Sequence, residues 1–246
     1  MKFSVWLSSM LVGVILLPAA AQDAPVYDIP QIEGIVIDGD LSDWGEGGFR
    51  IDIFSDTDGR VQPVKDFDPK VRLGWDVRGL LLAATVSDDI AFEHPGDNEI
   101  WLRDALEIFV GDKKGGKQWW QANIASGMDP DFPKLHYWLF DRGKADYNEK
   151  LHIEAASRKI DGGYIVEVLL PWENLSATAA VGQEYGFQMY CTDHDKEGGA
   201  FGVQWFPARG THVNSANMHR IRLAEEASPA VSISHGSGID QEKIKA

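Results

Sequence analysis

Short segments in which apolar and polar residues alternate recur along almost the whole 246-residue chain. Residues 105–111 show the pattern clearly, because Leu106, Ile108 and Val110 fall on one side of a strand and Glu107 falls on the other. Glycine, proline, aspartate and asparagine separate these segments, and the only helix-like stretch is a short turn at residues 172–175. A series of about a dozen short strands predicts an all-β fold, a jelly-roll-like β-sandwich of antiparallel strands.

The predicted strands belong to one domain. They cover residues 34–37, 50–54, 70–76, 79–87, 105–111, 118–124, 135–140, 151–155, 164–170, 186–193, 202–206 and 219–223. The strand at residues 79–87 is a nearly continuous apolar run, so it is predicted to be central and covered on both sides. The core is expected to contain Trp44, Trp75, Trp120, Trp138 and Trp172. Trp119 is predicted to share a face with Gln121, and the pattern leaves Trp205 undecided.

The two ends of the chain differ in composition from its middle. The N-terminal end has the form of a secretory signal, with Lys2 before an apolar run and a small-residue cleavage site at Ala19-Ala20-Ala21. The C-terminal end is rich in serine, glycine and charge, which predicts disorder. The expected division is a signal at 1–21, a lead-in at 22–33, the sandwich domain at 34–225 and a disordered tail at 226–246. We therefore predict a secreted or periplasmic protein without membrane insertion.

The chain is strongly acidic, which limits its partners. Its formal net charge is −15, and loss of Lys2 with the signal makes this −16. Such a charge disfavours nucleic acids and anionic membrane surfaces, and it suits a neutral ligand or a bound cation. Cys191 is the only cysteine, so no internal disulfide can form.

Glu107 is unusual because it stands in the middle of an otherwise apolar strand. Burying a carboxylate there costs free energy unless something pairs with it. Trp101, Arg103 and Asp104 lie just before the strand. One interpretation is a core strand that tolerates a single charge, with a tryptophan covering its edge. The other is a polar ligand site with an aromatic platform, and the pattern alone leaves both open.

Several segments recur in an order that resembles a known family. They are IDGDLSDW (37–44), VRLGWDVRGLLLAATVSDD (71–89), WLRDALEIFVG (101–111), ANIASG (122–127), GGYIVEVLLPWENL (162–175) and IRL (221–223). Together they resemble the family 9 carbohydrate-binding modules. The resemblance implies a β-sandwich that binds the ends of xylan- or cellulose-type glycans, with calcium as a structural ion.

The resemblance also implies a set of site residues. In the family, two aromatic side chains sandwich a sugar ring above polar groups that bind its hydroxyls. Trp101 matches the first aromatic, Glu107 the acidic residue and Asn123 the asparagine, whereas Gln121 falls where the family often has an arginine. No tryptophan or tyrosine matches the second aromatic, and His212 is the nearest candidate. The predicted sugar-binding residues are Trp101, Arg103, Glu107, Gln121, Asn123 and His212, and no catalytic residue is predicted.

Alternation supports this set independently. Gln121 and Asn123 share one face of a strand, and Glu107 lies on the face of its own strand that is opposite Leu106. Neighbouring strands could therefore place a carboxylate and two amides on one half-open face. These groups suit sugar hydroxyls, which both donate and accept hydrogen bonds.

Calcium candidates come from the acidic turns. Asp88 and Asp89 end the central apolar strand, and Asp38, Asp40 and Asp43 form a second acidic segment. Carboxylate oxygens are the ligands that calcium prefers, but neither segment has the spacing of an EF-hand loop. An acidic turn without metal therefore stays an alternative.

Two other functions remain open. A polysaccharide-active enzyme on the same scaffold would use Glu107 with a histidine or aspartate as acid and base. A haem-binding relative would need an axial pair such as Met218 and His212. Among the seven histidines, His194 stands out because it lies between two aspartates. The predicted partners are a carbohydrate ligand and glycan-active enzymes.

Overall fold

The structure, a computed structural model, describes residues 25–93, 99–143, 146–147, 150–196, 199–205 and 210–228. Within these residues thirteen strands form two sheets that pack against each other. The all-β prediction is therefore confirmed. The predicted signal at 1–21 and the tail from residue 229 onward lie outside the described residues. None of the described helices is long and apolar enough to cross a membrane.

The larger sheet has eight strands. Seven of them lie side by side in the order β1 (Val26–Pro30), β13 (His219–Ala224), β11 (Glu184–Asp193), β5 (Ala105–Gly111), β6 (Trp119–Ala125), β7 (His136–Asp141) and β8 (Asp146–Tyr147). The eighth, β12 (Phe201–Gln204), pairs with β11 beyond the segment of β11 that pairs with β13.

The smaller sheet has five strands. Their order is β2 (Phe49–Ile51), β3 (Phe67–Trp75), β4 (Gly79–Asp88), β10 (Gly163–Pro171) and β9 (Glu154–Ile160). The apolar run of β4 lies between β3 and β10 and is buried almost throughout, so the predicted central strand is confirmed.

The core lies between the two sheets. Leu106, Ile108 and Val110 of β5 point into it, as the alternation predicted. Each large aliphatic side chain that is fully buried contributes about 1.5–3 kcal/mol to folding. Of the tryptophans, Trp75, Trp120, Trp172 and Trp205 belong to this core. Trp138 was predicted to join them, but it is half-buried on the outer face of the larger sheet and packs near Phe140.

Two predicted strands were placed wrongly. Residues 34–37 form a loop rather than a strand, and Gly34 there has a φ of +82°. The first strand is β1, inside the segment predicted to be a lead-in, and it pairs in parallel with β13. The strand predicted at 151–155 begins later, at Glu154, where pairing with β10 starts at Leu169.

The loop at residues 32–46 covers the outer face of the smaller sheet. Trp44 and Ile35 pack there against Leu81 and Leu169. Beneath the loop lies Glu167 of β10, which is completely buried. Glu167 accepts hydrogen bonds from Trp44 Nε1 (2.7 Å) and from the backbone N–H groups of Gly39 (2.7 Å) and Asp38 (3.1 Å). The carboxylate thus fixes the loop in place.

Candidate functional site

A row of five side chains crosses the outer face of the larger sheet. Strand register places them directly opposite one another, one on each of β7, β6, β5, β11 and β12: Trp138, Asn123, Glu107, Tyr190 and Gln204. Adjacent strands lie about 4.8 Å apart, so this cross-strand row is roughly 19 Å long. The shared face predicted for Glu107 and Asn123 is confirmed, and Gln121 lies on it as well.

Gln121 links the polar groups at the centre of the site. Its amide nitrogen donates to Glu107 Oε2 (2.7 Å) and to Asn123 Oδ1 (2.8 Å). Its amide oxygen accepts from Arg142, through Nε (2.7 Å) and also through Nη2. All of the usual hydrogen-bonding positions of this amide are therefore in use. Because its amide has no bonding position left over, Gln121 positions its neighbours rather than binding a ligand itself.

Arg142 was missed by the sequence analysis. It follows β7 in the turn before β8, and its guanidinium lies 4.8 Å from the ring centroid of Phe140. Burial lowers the pKa of Arg142, and Glu107 opposes this shift. A cation from the turn between β7 and β8 is thus held beside the amide of Gln121. No periodic pattern marks a turn residue that reaches a partner 21 positions away.

Glu107 is buried with only part of its charge compensated. Burial raises the pKa of this carboxyl to about 7, while Arg142 and the hydrogen bond from Gln121 act in the opposite direction. Oε2 accepts from Gln121, and Oε1 takes no hydrogen bond from any described residue. The side-chain nitrogen of Asn123 is also buried without a partner there. One acceptor and one donor are therefore left for a ligand.

Aromatic side chains form one wall of the site. Trp101 lies in a short 3₁₀ turn, Ile100–Leu102, and its ring centroid is 6.3 Å from that of Phe140. Ile100 anchors this turn, because it is buried against Ala105 and Ala125. Trp101 itself is half-buried, so part of its ring surface is open to a ligand.

Two buried carboxylates fix the segment that carries Trp101. Glu93 accepts hydrogen bonds from Ser126 Oγ (2.6 Å) and from the backbone N–H groups of Gly127 and Met128 (2.9 Å each). Asp104 accepts from the N–H groups of Phe92 (2.6 Å) and His194 (2.7 Å). The histidine between two aspartates therefore contributes its backbone to this arrangement.

The remaining predicted sugar-binding residues lie further out. The Arg103 guanidinium lies 5.0 Å from the ring centroid of Phe92, and its Nη1 donates to the Leu102 carbonyl (2.7 Å). His212 is exposed and lines a cleft together with Tyr190 and Gln204. The neighbouring backbone is fixed by the Thr211 N–H, which donates to Tyr190 Oη (2.9 Å).

Six aspartates form two clusters, and Asp104 of one cluster lies three residues after Trp101. The buried cluster consists of Asp88, Asp104 and Asp193, and the outer one of Asp66, Asp89 and Asp195. Within each cluster, one carboxylate oxygen of every member lies within 4.8 Å of the others. The predicted pair Asp88 and Asp89 is thus divided between two clusters.

Electrostatics in the buried cluster disfavour three negative charges. Burial and then neighbouring carboxylates raise the pKa of Asp88 and of Asp193 to about 7, and that of Asp104 to about 9. Asp88 Oδ2 is buried without a hydrogen-bond partner among the described residues. A cation placed among these oxygens would remove both penalties.

The other acidic candidates have a different role. Asp38, Asp40 and Asp43 accept hydrogen bonds from the backbone of their own loop, with N···O distances of 2.8–3.0 Å. Asp40 also pairs with Arg158 (3.2 Å). These aspartates stabilise the loop, and the described clusters with metal-ligand geometry do not include them.

Residues 37–225 match the family model described as carbohydrate family 9 binding domain-like. The chain belongs to this family. It is also similar to curated endo-1,4-beta-xylanases A from Thermotoga neapolitana (23 % identical over 190 residues, 76 % of this chain) and Thermotoga maritima (23 % over 161 residues, 65 % of this chain). The matched region is only 17 % and 14 % of those xylanases, respectively.

Solved structures support the fold of this family 9 domain. A family 9 carbohydrate-binding module from Caldicellulosiruptor kristjanssonii, in complex with cellotriose, has a TM-score of 0.61 at 18 % identity and covers 87 % of this chain and 99 % of its own. A putative carbohydrate-binding protein from Bacteroides uniformis has a TM-score of 0.60 at 14 % identity, covering 82 % and 100 %.

Proposed function

We propose that this family 9 domain binds a poly- or oligosaccharide on the outer face of its larger sheet, without cleaving it. The observation that carries the proposal is a pair of polar groups beside an aromatic wall that have no hydrogen-bond partner among the described residues. Glu107 Oε1 would accept from a sugar hydroxyl and Asn123 Nδ2 would donate to one, while the sugar ring would stack on Trp101. Arg142, held against Gln121, would provide a further donor.

A xylan- or cellulose-type glycan is the ligand class that we favour. The Caldicellulosiruptor module binds cellotriose and glucose in its solved complexes, and the curated relatives are xylanases. The predicted signal extends the proposal to an exported protein that acts beside glycan-active enzymes.

Binding without hydrolysis is supported by the composition of the site. Glycosidases usually place two carboxyl groups on either side of the scissile bond. The hydrogen-bonded network of described residues around Gln121 contains one carboxylate, Glu107, with a cation beside it. No described contact favours the haem alternative: Met218 packs against Phe109 and Trp119, whereas His212 is exposed and lines the cleft beside Tyr190.

We also propose that Asp88, Asp104 and Asp193 hold a structural calcium ion. Hard carboxylate oxygens suit calcium, and Asp88 Oδ2, which has no hydrogen-bond partner among the described residues, provides a ligand atom. The ion would supply positive charge between β4, β11 and the segment that precedes β5. Asp104 lies three residues after Trp101, so this charge would stabilise the aromatic wall.

The test is a calorimetric titration of the mature protein with xylo- and cello-oligosaccharides, in calcium buffer. Wild type should bind at least one series saturably, and chromatography should show no new products. Trp101→Ala should lose at least tenfold in affinity while Trp101→Phe, which keeps an aromatic face, should retain most of it. Saturable binding that Trp101→Ala leaves unchanged, or release of shorter sugars, would contradict the proposal.

A further inference from the structure

The outer edges of the two sheets are protected to different degrees. At β1, the Ser228 N–H donates to the Asp28 carbonyl (2.9 Å) and Ser228 Oγ accepts from the Asp28 N–H (2.7 Å). At β12, Gln204 and Ser55 exchange two backbone hydrogen bonds (2.9 and 3.3 Å). β8 covers part of β7, and β2 and β8 themselves are only three and two residues long. Each of these edges is therefore covered or short.

β9, the last strand of the smaller sheet, is a longer edge of seven residues. Among the described residues, its backbone pairs with β10 on one side, and none bonds to it on the other. An exposed row of unpaired N–H and C=O groups can pair with the strand of another chain, and natural proteins usually protect such edges. The edge at β9 is the one that lacks this protection over its full length.

The pairing of β10 determines which backbone groups of β9 point outward. The Asp88 N–H donates to the Gly162 carbonyl (3.1 Å) and the Trp172 N–H donates to the Arg78 carbonyl (3.2 Å), so the even-numbered residues of β10 bond to β4. Its odd-numbered residues bond to the even-numbered residues of β9. The N–H and C=O groups of three residues then point away from the sheet: Ala155, Ser157 and Lys159.

The side chains of β9 are divided between the two faces of the sheet. On the inner face, Ala155 packs against the core and Ser157 Oγ donates to the Ser126 carbonyl. The outer face carries Glu154, Ala156 and Arg158, which alternate with these residues. A carboxylate and a guanidinium thus stand on the same face, on either side of a small residue.

This arrangement is complementary to itself. When two antiparallel strands pair in one sheet, residues that lie opposite each other share a face. If Ala156 lies on a two-fold axis perpendicular to the sheet, Glu154 lies opposite the partner's Arg158, and symmetry repeats this pair. Placing the axis on Ser157 instead sets Glu154 opposite the partner's Ile160. The register centred on Ala156 is therefore the one that matches opposite charges.

We propose that β9 is an interface at which a second copy of this chain pairs, joining two five-stranded sheets into one of ten strands. In the register centred on Ala156, Ala155 and the partner's Ser157 exchange two backbone hydrogen bonds, and symmetry makes four. The Cα atoms of the central alanine pair would lie about 4.5 Å apart, as in other pairs without hydrogen bonds, and two methyl groups fit this spacing.

The symmetry of this dimer orients both larger sheets in the same way. Because the axis is perpendicular to the smaller sheets, the two larger sheets lie on one side and their outer faces point in one direction. Two copies could then bind one polysaccharide surface together, which raises the effective affinity of each. The interface is short and each chain carries a net charge of −15, so we expect a weak dimer. The pairing itself does not depend on sugar binding.

Sedimentation velocity of the mature protein tests the interface, at concentrations from about 1 to 500 µM. Wild type should show a monomer–dimer equilibrium with a dissociation constant of about 10–100 µM. Glu154→Arg and Arg158→Glu each place like charges opposite one another and should weaken the dimer at least about fivefold. The double variant has the wild-type net charge and should restore the wild-type constant. Lys159→Glu changes the charge as Arg158→Glu does, but on the inner face, and should stay within about twofold of wild type.

A second pair of variants tests the backbone hydrogen bonds. Ala155→Pro removes an outward N–H that bonds to none of the described residues, and proline is tolerated on an edge strand. The monomer should therefore fold with a melting temperature close to that of wild type, whereas the dimer should disappear from the concentration range. Ala155→Ser keeps the N–H and is the matched control, which should dimerise as wild type does.

Three results would overturn the inference. Wild type could stay monomeric at every concentration, or the dimer could persist in folded Ala155→Pro. The double charge variant could also fail to recover the association that the single variants lose, which would exclude the pairing of Glu154 with Arg158. A failure to bind any saccharide would affect only the proposed function, because dimerisation is measured without sugar.

Discussion

The two sheets each carry a buried glutamate in the middle of an otherwise apolar strand, on the face turned away from the core. Glu167 lies in YIVEVLL on β10, and Glu107 lies in ALEIFVG on β5. Both positions look alike in the sequence. Their surroundings, however, differ in how the carboxylate is satisfied.

Glu167 is fully used by its own protein. Three donors from the loop at residues 32–46 reach its two oxygens, and the loop covers the whole position. Glu107 accepts from Gln121 alone among the described side chains, and a half-buried arginine lies behind that amide. The other oxygen of Glu107 accepts no hydrogen bond within the part of the chain that the structure describes.

This difference shows that a buried strand glutamate does not by itself mark a binding site. The deciding feature is whether the protein provides the donors. Where a loop provides the donors, the carboxylate holds that loop against the sheet and stabilises the fold. Where the protein provides only some of the donors, the remaining acceptor positions of the carboxylate are left for a ligand, and the carboxylate stabilises the fold less.

Removing the two glutamates one at a time should give the largest difference in the free energy of unfolding. Glu167→Ala leaves Trp44 Nε1 and two backbone N–H groups without acceptors, so it should lower the free energy of unfolding by about 3–5 kcal/mol. Glu107→Ala removes a carboxylate whose burial is itself unfavourable, and we expect a loss of about 1 kcal/mol or less. Urea unfolding of both variants measures this, and equal losses would remove the distinction between the two glutamates.

Calcium removal should affect the outer face of the larger sheet and leave the outer face of the smaller sheet, under the loop at residues 32–46, unchanged. If calcium binds at Asp88, Asp104 and Asp193, excess chelator should lower the melting temperature by roughly 5–10 °C and weaken sugar binding. Asp104→Asn should remove most of the calcium response. Asp40→Asn, in the loop over the smaller sheet, is the control and should keep it. A melting temperature that does not respond to calcium or to chelator would rule out the structural ion.

Removing one donor from each glutamate environment gives a finer test. Arg142→Gln should reduce sugar affinity about three- to tenfold while changing the free energy of unfolding by less than about 0.5 kcal/mol. Trp44→Phe removes a donor to Glu167, so it should lower the free energy of unfolding by about 1–2 kcal/mol and leave affinity unchanged. Calorimetric titration gives the sugar affinity of each variant, and urea unfolding gives its free energy of unfolding. If Arg142→Gln instead lowered the free energy of unfolding and left sugar affinity unchanged, the outer face of the larger sheet would have a structural role.

A further expected effect is the pH dependence of Glu107. Its folded pKa of about 7 is above its ordinary value, so the folded state binds more protons than the unfolded state between about pH 4.5 and 7. Its contribution to the free energy of unfolding therefore falls as the pH rises through that window.

Sugar affinity should change in the opposite direction. If the ionised carboxylate accepts from the ligand, affinity should rise about three- to tenfold from pH 6 to pH 8. Glu107→Gln should abolish this rise, which titrations at the two pH values can check. A pH dependence that persists in Glu107→Gln would assign it to another group.

Alternation predicted the face of the site well. It placed Gln121 and Asn123 on one side of β6 and Glu107 on the matching side of β5, and strand register confirms this. The binding roles of Trp101, Arg103 and His212 stay predictions. Their positions in the structure now allow each to be tested separately.

What the sequence did not reveal depends on long-range pairing. In β7, Tyr137, Trp138, Leu139 and Phe140 are all apolar or aromatic, so alternation could not decide which of them face outward. Trp138 was assigned to the core for that reason. Arg142 belongs to a turn, and the parallel pairing of β1 with β13 joins segments about 190 residues apart, which no local pattern reports.

That parallel pairing also determines how the domain would respond to pulling at its two ends. Val26 begins β1 opposite Arg220, and the last pair of the ladder is Pro30 with Ala224. A force on the N-terminal end of β1 and on the C-terminal end of β13 would slide the two strands past each other in shear. All hydrogen bonds of the ladder would then bear the load together instead of opening one at a time. A domain joined at both ends to other bodies would thereby resist unfolding under tension.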